Sequence, residues 1–257
     1  MRNGPQIATS GLIFSSDPAE SISYPGSGTV LQNTAGDGSL TLTNGPTFST
    51  DNIGSIVIDG TDDYMQVTNS VSSAALSPSV ATFSIWVSPD GTGMAAKTCS
   101  LISRGNYNTS GGFFIHMAYG TIVNNAPTVQ ATFSYSSTTS YSFDGTSYYA
   151  LPGRFNGWSN VTVAVDSTVS LYINGELKEN KSRSNSASTI IYGAGSIGTG
   201  GDTNLTLCST LSYVPAYTDS NWQPYKGKAS AFQMWNRRLS QTEITQNFNA
   251  LRGRFGV

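Results

Sequence analysis

Four of the aspartates lie where their carboxylates could together bind a cation. Asp59, Asp62 and Asp63 lie close together in the sequence, and Asp37 stands in an earlier glycine-rich stretch. Calcium takes several oxygen ligands from carboxylates and backbone carbonyls, so it is the ion that this set would suit. The other interpretation is that these aspartates shape turns, because glycine follows both Asp37 and Asp59. The turn interpretation is favoured because the ligand set is incomplete, so we expect no cofactor, and calcium is the one ion that this set leaves open.

The glutamates do not form a catalytic pair. Hydrolysis of a glycosidic bond needs a carboxylic acid and a second carboxylate about 5 to 10 Å apart. None of the four glutamates is spaced i, i+2 or i+4 from another acid: Glu20, Glu176, Glu179 and Glu243. Asp62 and Asp63 are adjacent, so on a strand their side chains would point to opposite faces. A glycoside hydrolase is therefore a minor alternative, and we expect no enzymatic activity.

The single histidine, His116, is the residue that a Ser-His-Asp arrangement would need as its base. It lies in the apolar run Phe114-Ile115-His116-Met117, and no nucleophile motif accompanies it. We therefore interpret His116 as a strand residue with a local hydrogen bond.

Two groups of aromatic residues could bind sugars, because the apolar face of a ring stacks on sugar CH groups. The first group, together with a flanking amide, comprises Tyr213, Tyr217, Asn221, Trp222 and Tyr225. The second group comprises Tyr141, Tyr148 and Tyr149, of which Tyr148 and Tyr149 are the candidate site residues. The alternative is that these rings cover the core or pack against a neighbouring subunit, since interfaces are also rich in aromatic residues. Composition does not separate the two interpretations, and core or interface is weighed above sugar.

Composition excludes two other classes of partner. The net charge is -2, and the 13 Lys and Arg residues form no basic run that could neutralise nucleic-acid phosphates. No stretch approaches the roughly 18 to 20 consecutive apolar residues of a membrane span. Only 11% of the residues are charged, and 27 are glycine. Such a chain favours strands and turns over long helices.

The two cysteines and the N-terminus bear on the compartment. Cys99 and Cys208 could pair, but cysteines so far apart are more often buried and unpaired, and neither has metal-site spacing. Residues 1–6 lack the apolar run of a secretory signal. This favours a protein made in the cytoplasm and released on a particle over a secreted protein whose signal was removed.

The periodicity of the sequence predicts an all-β domain with one late helix. Apolar residues alternate over 81–87, 161–165 and 169–173, and Asn174-Gly175 predicts a tight hairpin turn. Residues 229–235 predict another strand, with Ala229, Ala231, Gln233 and Trp235 on one face. Ser240 and Glu243 form a capping-box pattern before a short helix with Ile244, Phe248 and Leu251 on one stripe, which Gly253 can end. We expect an irregular arm over 1–10 and a single domain over 11–257.

Five segments occur in a characteristic order: residues 54–64 (GSIVIDGTDDY), 82–87 (TFSIWV), 158–163 (WSNVTV), 171–176 (LYINGE) and 225–244. Together they resemble the laminin-G-like jelly roll of the concanavalin A-like lectin/glucanase superfamily. The resemblance implies a two-sheet antiparallel jelly-roll sandwich with one short C-terminal helix. Relatives often carry an Asp and an Asn-rich loop where this chain has residues 32–39, and that difference weighs against an inherited calcium site.

Residues 24–29 (YPGSGT) and 42–48 (LTNGPTF) resemble a version of this jelly roll that is frequent in tailed-phage structural proteins. The resemblance implies a non-enzymatic bacteriophage virion protein, either a capsid decoration protein or a surface module of a fibre or tail. Its expected partners are other virion proteins and host surface polysaccharide, in a homo-oligomer or larger assembly at the virion surface. The alternative is a secreted, extracellular carbohydrate-binding lectin or adhesin.

Overall fold

The strands of the chain form two antiparallel sheets that pack face to face. This is seen in a computed structural model that describes residues 6–67, 80–92, 98–106, 111–123, 126–137, 140–183, 205–209 and 223–257. The strands within these ranges are β1 (Leu12–Ser16), β2 (Val30–Gln32), β3 (Ser39–Thr43), β4 (Thr47–Ser49), β5 (Ser55–Asp59), β6 (Tyr64–Val67), β7 (Ala81–Pro89), β8 (Thr98–Asn106), β9 (Gly111–Val123), β10 (Ala126–Ser137), β11 (Ser140–Gly145), β12 (Tyr149–Ala150), β13 (Ser159–Val165), β14 (Thr168–Ile173), β15 (Glu176–Ser182), β16 (Thr206–Leu207) and β17 (Lys226–Trp235). A 3-10 turn covers Asp51–Ile53, and the helix α1 covers Gln241–Phe255.

The two sheets enclose one large apolar core. The eight-stranded sheet has the order β15-β14-β13-β7-β17-β5-β4, and β1 pairs with β17. The nine-stranded sheet has the order β11-β10-β9-β8-β16-β6-β3-β2, and β12 pairs with β10. Alternate residues of both sheets point inward, and the inner side chains include Phe83, Val163 and Leu171 from one sheet and Phe113 and Ile115 from the other. The predicted all-β sandwich with a C-terminal helix is confirmed.

The meander predicted from the alternating valines is confirmed. Strand β13 lies between β7 and β14, and β14 continues into β15. The turn between β14 and β15 has φ +52° at Asn174 and +76° at Gly175, the left-handed pair that a two-residue hairpin turn requires. A residue with a branched Cβ at either position would disfavour this turn.

The side-chain alternation predicted for β17 is wrong in its second half. The pairing of β17 with β7 shifts register between Ser230 and Gln233, and Ala231 has φ +43°. This β-bulge inserts one residue and reverses the facing of those that follow it. Ala229 therefore shares the inner face with Phe232 and Met234 rather than with Trp235.

The helix α1 covers the outer face of the eight-stranded sheet. Its N-terminus has the predicted capping box, in which the Ser240 hydroxyl accepts from the Glu243 amide and the Glu243 carboxylate accepts from the Ser240 amide. The prediction that Gly253 ends the helix is wrong, because the helix continues to Phe255 and ends at Gly256 with φ +72°. The extra turn places the Phe255 ring 4.2 Å from the centroid of Trp86 and 4.6 Å from that of Trp158.

The described part of the predicted N-terminal arm, residues 6–10, contains no strand but lies against the C-terminal elements. The Trp235 indole donates to the carbonyl of Ala8 (2.7 Å), and the Ala8 amide donates to Asn247 Oδ1 (2.7 Å). These bonds tie residues 6–10 to α1 and β17. No helix among the described residues is long and apolar enough to cross a membrane.

Candidate functional site

Three of the four candidate aspartates meet at one end of the sandwich. The turn from β5 to β6 crosses between the sheets, and it brings carboxylate oxygens of Asp59, Asp62 and Asp63 within 4.8 Å of one another. The turn is shaped locally, because Asp59 Oδ1 accepts from the Thr61 amide (2.7 Å) and Gly60 has φ +82°. We call this end of the sandwich the acidic-turn end.

The electrostatics of the acidic turn are dominated by Asp63. This residue is 4% exposed, and burial raises the pKa of its carboxyl. A hydrogen bond from the Asp59 amide to Asp63 Oδ2 (3.1 Å) lowers the pKa, whereas the charges of Asp59 and Asp62 raise it further. The net shift of the pKa is upward, chiefly because burial disfavours the charged form of the Asp63 carboxyl.

Several loops surround the acidic turn. The Asn44 side chain, in the connection from β3 to β4, donates to the carbonyl of Asp62 (3.0 Å). Lys226 begins β17 opposite Asp59, and its ammonium lies 3.4 Å from Asp90 Oδ2 and 2.7 Å from the carbonyl of Thr92. Burial acts to raise the pKa of Asp90, but the hydrogen bonds from Thr92 and the charge of Lys226 lower it.

The loop before β13 adds two polar groups that sequence reasoning missed. Arg154 (φ +53°) and Asn156 (φ +64°) are both exposed, and both have a left-handed backbone conformation. The loop is fixed because the Asn156 amide donates to the carbonyl of Pro89 (2.7 Å), and a Cβ at Gly91 would lie 2.7 Å from the Phe155 ring. The glycines at 153 and 157 were the available signal, since they allow the loop to close on itself.

Asp37 does not join the other three aspartates. It lies in the turn from β2 to β3, at the opposite end of the sandwich from the turn between β5 and β6. Its carbonyl accepts from Asn33 Nδ2 (2.9 Å), and Gly38 follows it with φ +98°. In the described part of the chain, the candidate cation set is therefore three carboxylates, fewer than the six to eight oxygens that calcium takes.

The predicted aromatic groups separate in the structure. Tyr213, Tyr217, Asn221 and Trp222 lie outside the described residues. Tyr225 is fully buried in the core, and its hydroxyl donates to the carbonyl of Lys228 (2.9 Å), so its ring cannot stack on a sugar. Of the two alternatives left open for this residue, the structure places it in the core.

Tyr148 and Tyr149 lie at the edge of the sandwich away from the acidic turn. Tyr149 begins β12 and is half-buried against the core, whereas Tyr148 is 41% exposed. The loop before them is anchored to both sheets, because the Thr146 amide donates to the carbonyl of Ala131 (2.9 Å) and the Ser147 amide donates to Glu179 Oε2 (2.6 Å). The structure thus presents Tyr148 on a well-fixed loop but does not bring it to the aspartates.

The other titratable candidates, His116, Glu243 and the two cysteines, lie in environments that suit a structural role. His116 is 3% exposed, its ring stacks on Phe114 at 5.3 Å, and burial lowers its pKa to about 3. The Arg237 guanidinium and the Ser240 amide and hydroxyl hold the pKa of Glu243 at about 2. Cys99 and Cys208 are both buried, and burial raises the pKa of the Cys208 thiol.

Comparison with known proteins places the chain among sandwiches of this type. The family model described as the concanavalin A-like lectin/glucanases superfamily matches residues 59–245. No curated protein matches the sequence.

Several solved structures share the fold at low sequence identity. The binding domain of botulinum neurotoxin DC in complex with rat synaptotagmin II is 16% identical in sequence, with a TM-score of 0.63. The match covers 95% of this chain and 52% of the neurotoxin chain. The ligand-binding domain of botulinum neurotoxin serotype D in complex with N-acetylneuraminic acid is 14% identical with a TM-score of 0.61, covering 93% and 51%. The chain therefore spans about half the length of these neighbours.

Proposed function

We propose that this chain, which belongs to the concanavalin A-like lectin/glucanases superfamily, is a non-enzymatic carbohydrate-binding module on the surface of a bacteriophage virion. The acidic-turn end is the observation that carries the binding role. Its three carboxylates lie within 4.8 Å of one another on a turn that joins the two sheets. Polar groups on loops that a packed sandwich holds in place are the usual form of a binding site on a β-sandwich.

A carbohydrate suits the chemistry of this end. The exposed Asp59 and half-buried Asp62 carboxylates can accept hydrogen bonds from sugar hydroxyls, and the exposed Arg154 and Asn156 supply donors at the same end. The Lys226 ammonium lies beside Asp90 at this end, so the acidic turn is not the only charged group there. The neighbour bound to N-acetylneuraminic acid is consistent with a sugar ligand.

The absence of catalysis is part of the proposal. The general-base candidate His116 is buried, with its pKa at about 3, so it is uncharged at neutral pH but has no access to substrate. Glu243 caps α1 and pairs with Arg237, and Glu179 accepts from the Ser147 amide. Each of these groups already has a structural role that explains its position. The expectation that Asp62 and Asp63 point to opposite faces is wrong, because both lie in the turn from β5 to β6 rather than on a strand; Asp63, however, is 4% exposed and, like His116, has no access to substrate.

The virion setting rests on the two phage-like segments. In the structure these segments contact each other, because the Tyr24 ring lies 5.4 Å from the Phe48 ring and the Leu42 amide donates to the carbonyl of Thr29 (2.8 Å). The similarity thus falls on one local unit beside the edge strand β4 rather than on scattered positions.

Carbohydrate binding is tested by screening the intact chain against host surface polysaccharides and a panel of defined glycans. Saturable binding without release of reducing ends supports the proposal. Release of sugar from any bound glycan would instead assign a glycoside hydrolase. Failure to bind any glycan would remove the carbohydrate-binding role.

The virion setting needs a separate measurement. Quantitative mass spectrometry of gradient-purified phage particles gives the copy number of the chain relative to the major capsid protein. A copy number similar to that of the capsid protein indicates a decoration protein, and a much lower one indicates a fibre or tail module. Absence from particles, together with glycan binding, would leave the secreted lectin.

A further inference from the structure

The loop before β13 holds an arginine whose charge the fold leaves unpaired. Arg154 is exposed, and its guanidinium forms no hydrogen bond, ion pair or ring contact within the part of the chain that the structure describes. The other arginines of that part are engaged or buried: Arg183, Arg237, Arg238 and Arg254 donate hydrogen bonds, Arg252 lies over the Phe248 ring, and Arg104 is buried. Among the described arginines, Arg154 is therefore the one whose guanidinium is free to bind.

The backbone around Arg154 is held by hydrogen bonds and close packing. The Arg154 amide donates to the carbonyl of Leu151 (3.0 Å), and the Gly153 amide donates to Ser159 Oγ (3.1 Å). Gly157 packs so closely on Gly153 that a Cβ there would lie 2.1 Å from the Gly153 carbonyl oxygen. Because the loop is already fixed, a ligand of Arg154 does not have to order it on binding.

Asn156 lies two residues from Arg154 and shares its backbone conformation. The φ angles are +53° at Arg154 and +64° at Asn156, a region that residues with a Cβ seldom adopt and that is found at ligand-holding sites. The Asn156 side chain is exposed and has no hydrogen bond to the described residues. Guanidinium and amide N–H groups on one loop are donors that suit the oxygens of an anion.

Lys226, at the same end of the sandwich, is already neutralised. Its ammonium lies 3.4 Å from Asp90 Oδ2 and donates to the carbonyl (2.7 Å) and the hydroxyl (2.9 Å) of Thr92. These three contacts account for the three donors of an ammonium group. An anionic group of a ligand would therefore find its donors at Arg154 rather than at Lys226.

The carboxylates of the acidic turn lie far across the sheet from the Arg154 loop. The acidic turn follows β5 and the loop precedes β13, and the sheet order β13-β7-β17-β5 separates these strands by three spacings, about 14 Å. The Debye length at physiological ionic strength is only ~8 Å. An anion at Arg154 is thus largely screened from the carboxylates, while sugar hydroxyls can still reach Asp59 and Asp62.

We propose that the glycan bound at the acidic-turn end is an acidic polysaccharide, and that Arg154 selects it by binding a carboxylate or phosphate group of the sugar chain. This inference rests on the proposed carbohydrate-binding function and adds the substrate class to it. A planar guanidinium donates to two oxygens of such a group at once, so it recognises geometry as well as charge. A ligand that also reaches the acidic turn is a chain of several sugars, since the two regions are about 14 Å apart.

The test compares charged and neutral forms of one glycan. The glycan panel includes acidic polysaccharides, each with its carboxyl-reduced or dephosphorylated form, and titration calorimetry gives the ratio of the two dissociation constants. Arg154→Gln removes the charge, and Arg154→Lys keeps the charge without the planar fork. The matched control is Lys181→Gln, because Lys181 is exposed, forms no ion pair with the described residues and lies toward the end of the sheet away from the acidic turn. Circular dichroism checks that each variant keeps the fold.

We expect the wild-type chain to bind the charged form at least about tenfold more tightly than the neutral form. This preference should disappear in Arg154→Gln, be reduced in Arg154→Lys and stay at the wild-type value in Lys181→Gln. Equal binding of the two forms by the wild-type chain, or a preference that Arg154→Gln leaves unchanged, would overturn this inference alone and leave carbohydrate binding in place. Failure to bind any glycan in either form would overturn the proposed function and this inference together.

Discussion

Asp17 and Arg254, at opposite ends of the sequence, form an ion pair whose side chains are only 8% and 10% exposed. Arg254 donates to both carboxylate oxygens of Asp17, at 2.8 and 2.6 Å. The pair fills a gap in the eight-stranded sheet, because β17 pairs with β5 up to Ala229 and with β1 from Phe232 onward. Arg254 also donates to the Ser230 hydroxyl in that gap. The end of α1 is thus joined to β1, β5 and β17 at one point.

Breaking this ion pair should destabilise the fold strongly. Arg254→Leu leaves the Asp17 carboxylate buried without its partner, which typically costs about 3–5 kcal/mol. Urea unfolding measures the change in the free energy of unfolding. Glu176→Gln is the control, because the Lys178–Glu176 pair is exposed and is worth about 0–1 kcal/mol. Equal effects of the two changes would show that the buried pair does not have this structural role.

Truncation of Phe255 should detach the last turn of α1. Its ring is 4% exposed and lies between Trp86 and Trp158, so Phe255→Ala should lower the free energy of unfolding by about 3–5 kcal/mol. The tryptophan fluorescence of the folded protein should also change, since both neighbouring indoles lose a packed ring. Leu251→Ala is the comparison, because Leu251 is only half-buried on the same helix and should cost less.

Replacing Ile53 with glycine should stabilise the monomer. Glycine adopts φ +70° without the crowding that a Cβ produces, a relief of ~1–2 kcal/mol that its greater unfolded-state entropy partly offsets. The expected net gain is about 1 kcal/mol by thermal unfolding in dilute solution. Ile53→Ala keeps a Cβ and should gain less. A loss of stability in Ile53→Gly would mean that the exposed side chain makes a contact that stabilises the monomer.

The stability of the fold should fall in acid because of His116. Its folded-state pKa of about 3 lies below its ordinary value of 6.5, so the unfolded chain binds more protons between those two values. The free energy of unfolding should therefore decrease by about 1.4 kcal/mol per pH unit as the pH falls from 6.5 toward 3. Glu243, whose pKa is lowered to about 2 from 4.5, adds a further loss as the pH falls through that lower range. The change His116→Gln should flatten the upper part of the profile, and an unchanged slope would contradict this assignment.

The sequence was sufficient for the local features of the fold. The Asn174-Gly175 turn and the Ser240–Glu243 capping box are each encoded by residues close together, so their spacing predicted them. The bulge at Ala231 was not predictable, because alanine there has no sequence signal for positive φ and its position depends on pairing with β7. The continuation of α1 past Gly253 depends on Trp86 and Trp158, which lie far away in the sequence.

The candidate site was only partly predictable for the same reason. The proximity of Asp59, Asp62 and Asp63 follows from their position in one turn. The distance of Asp37 from them depends on which end of the sandwich each hairpin occupies, and that is a property of the topology. Arg154 and Asn156 came to the acidic-turn end through a loop whose glycines gave a turn signal but no indication of direction.

The most direct test is isothermal titration calorimetry with a host glycan that the screen has identified as a ligand. The glycan is titrated into the wild-type chain, Asp62→Asn and Asp37→Asn. The two variants make the same chemical change at opposite ends of the sandwich, and the hydrogen bond from the Asn44 side chain is accepted by the backbone carbonyl of Asp62, which the change leaves in place. The account predicts that Asp62→Asn weakens binding at least about tenfold, equivalent to ~1.4 kcal/mol, while Asp37→Asn binds like the wild type. Unchanged binding by Asp62→Asn, or an equal loss in Asp37→Asn, would contradict the assignment of the acidic-turn end as the carbohydrate-binding face.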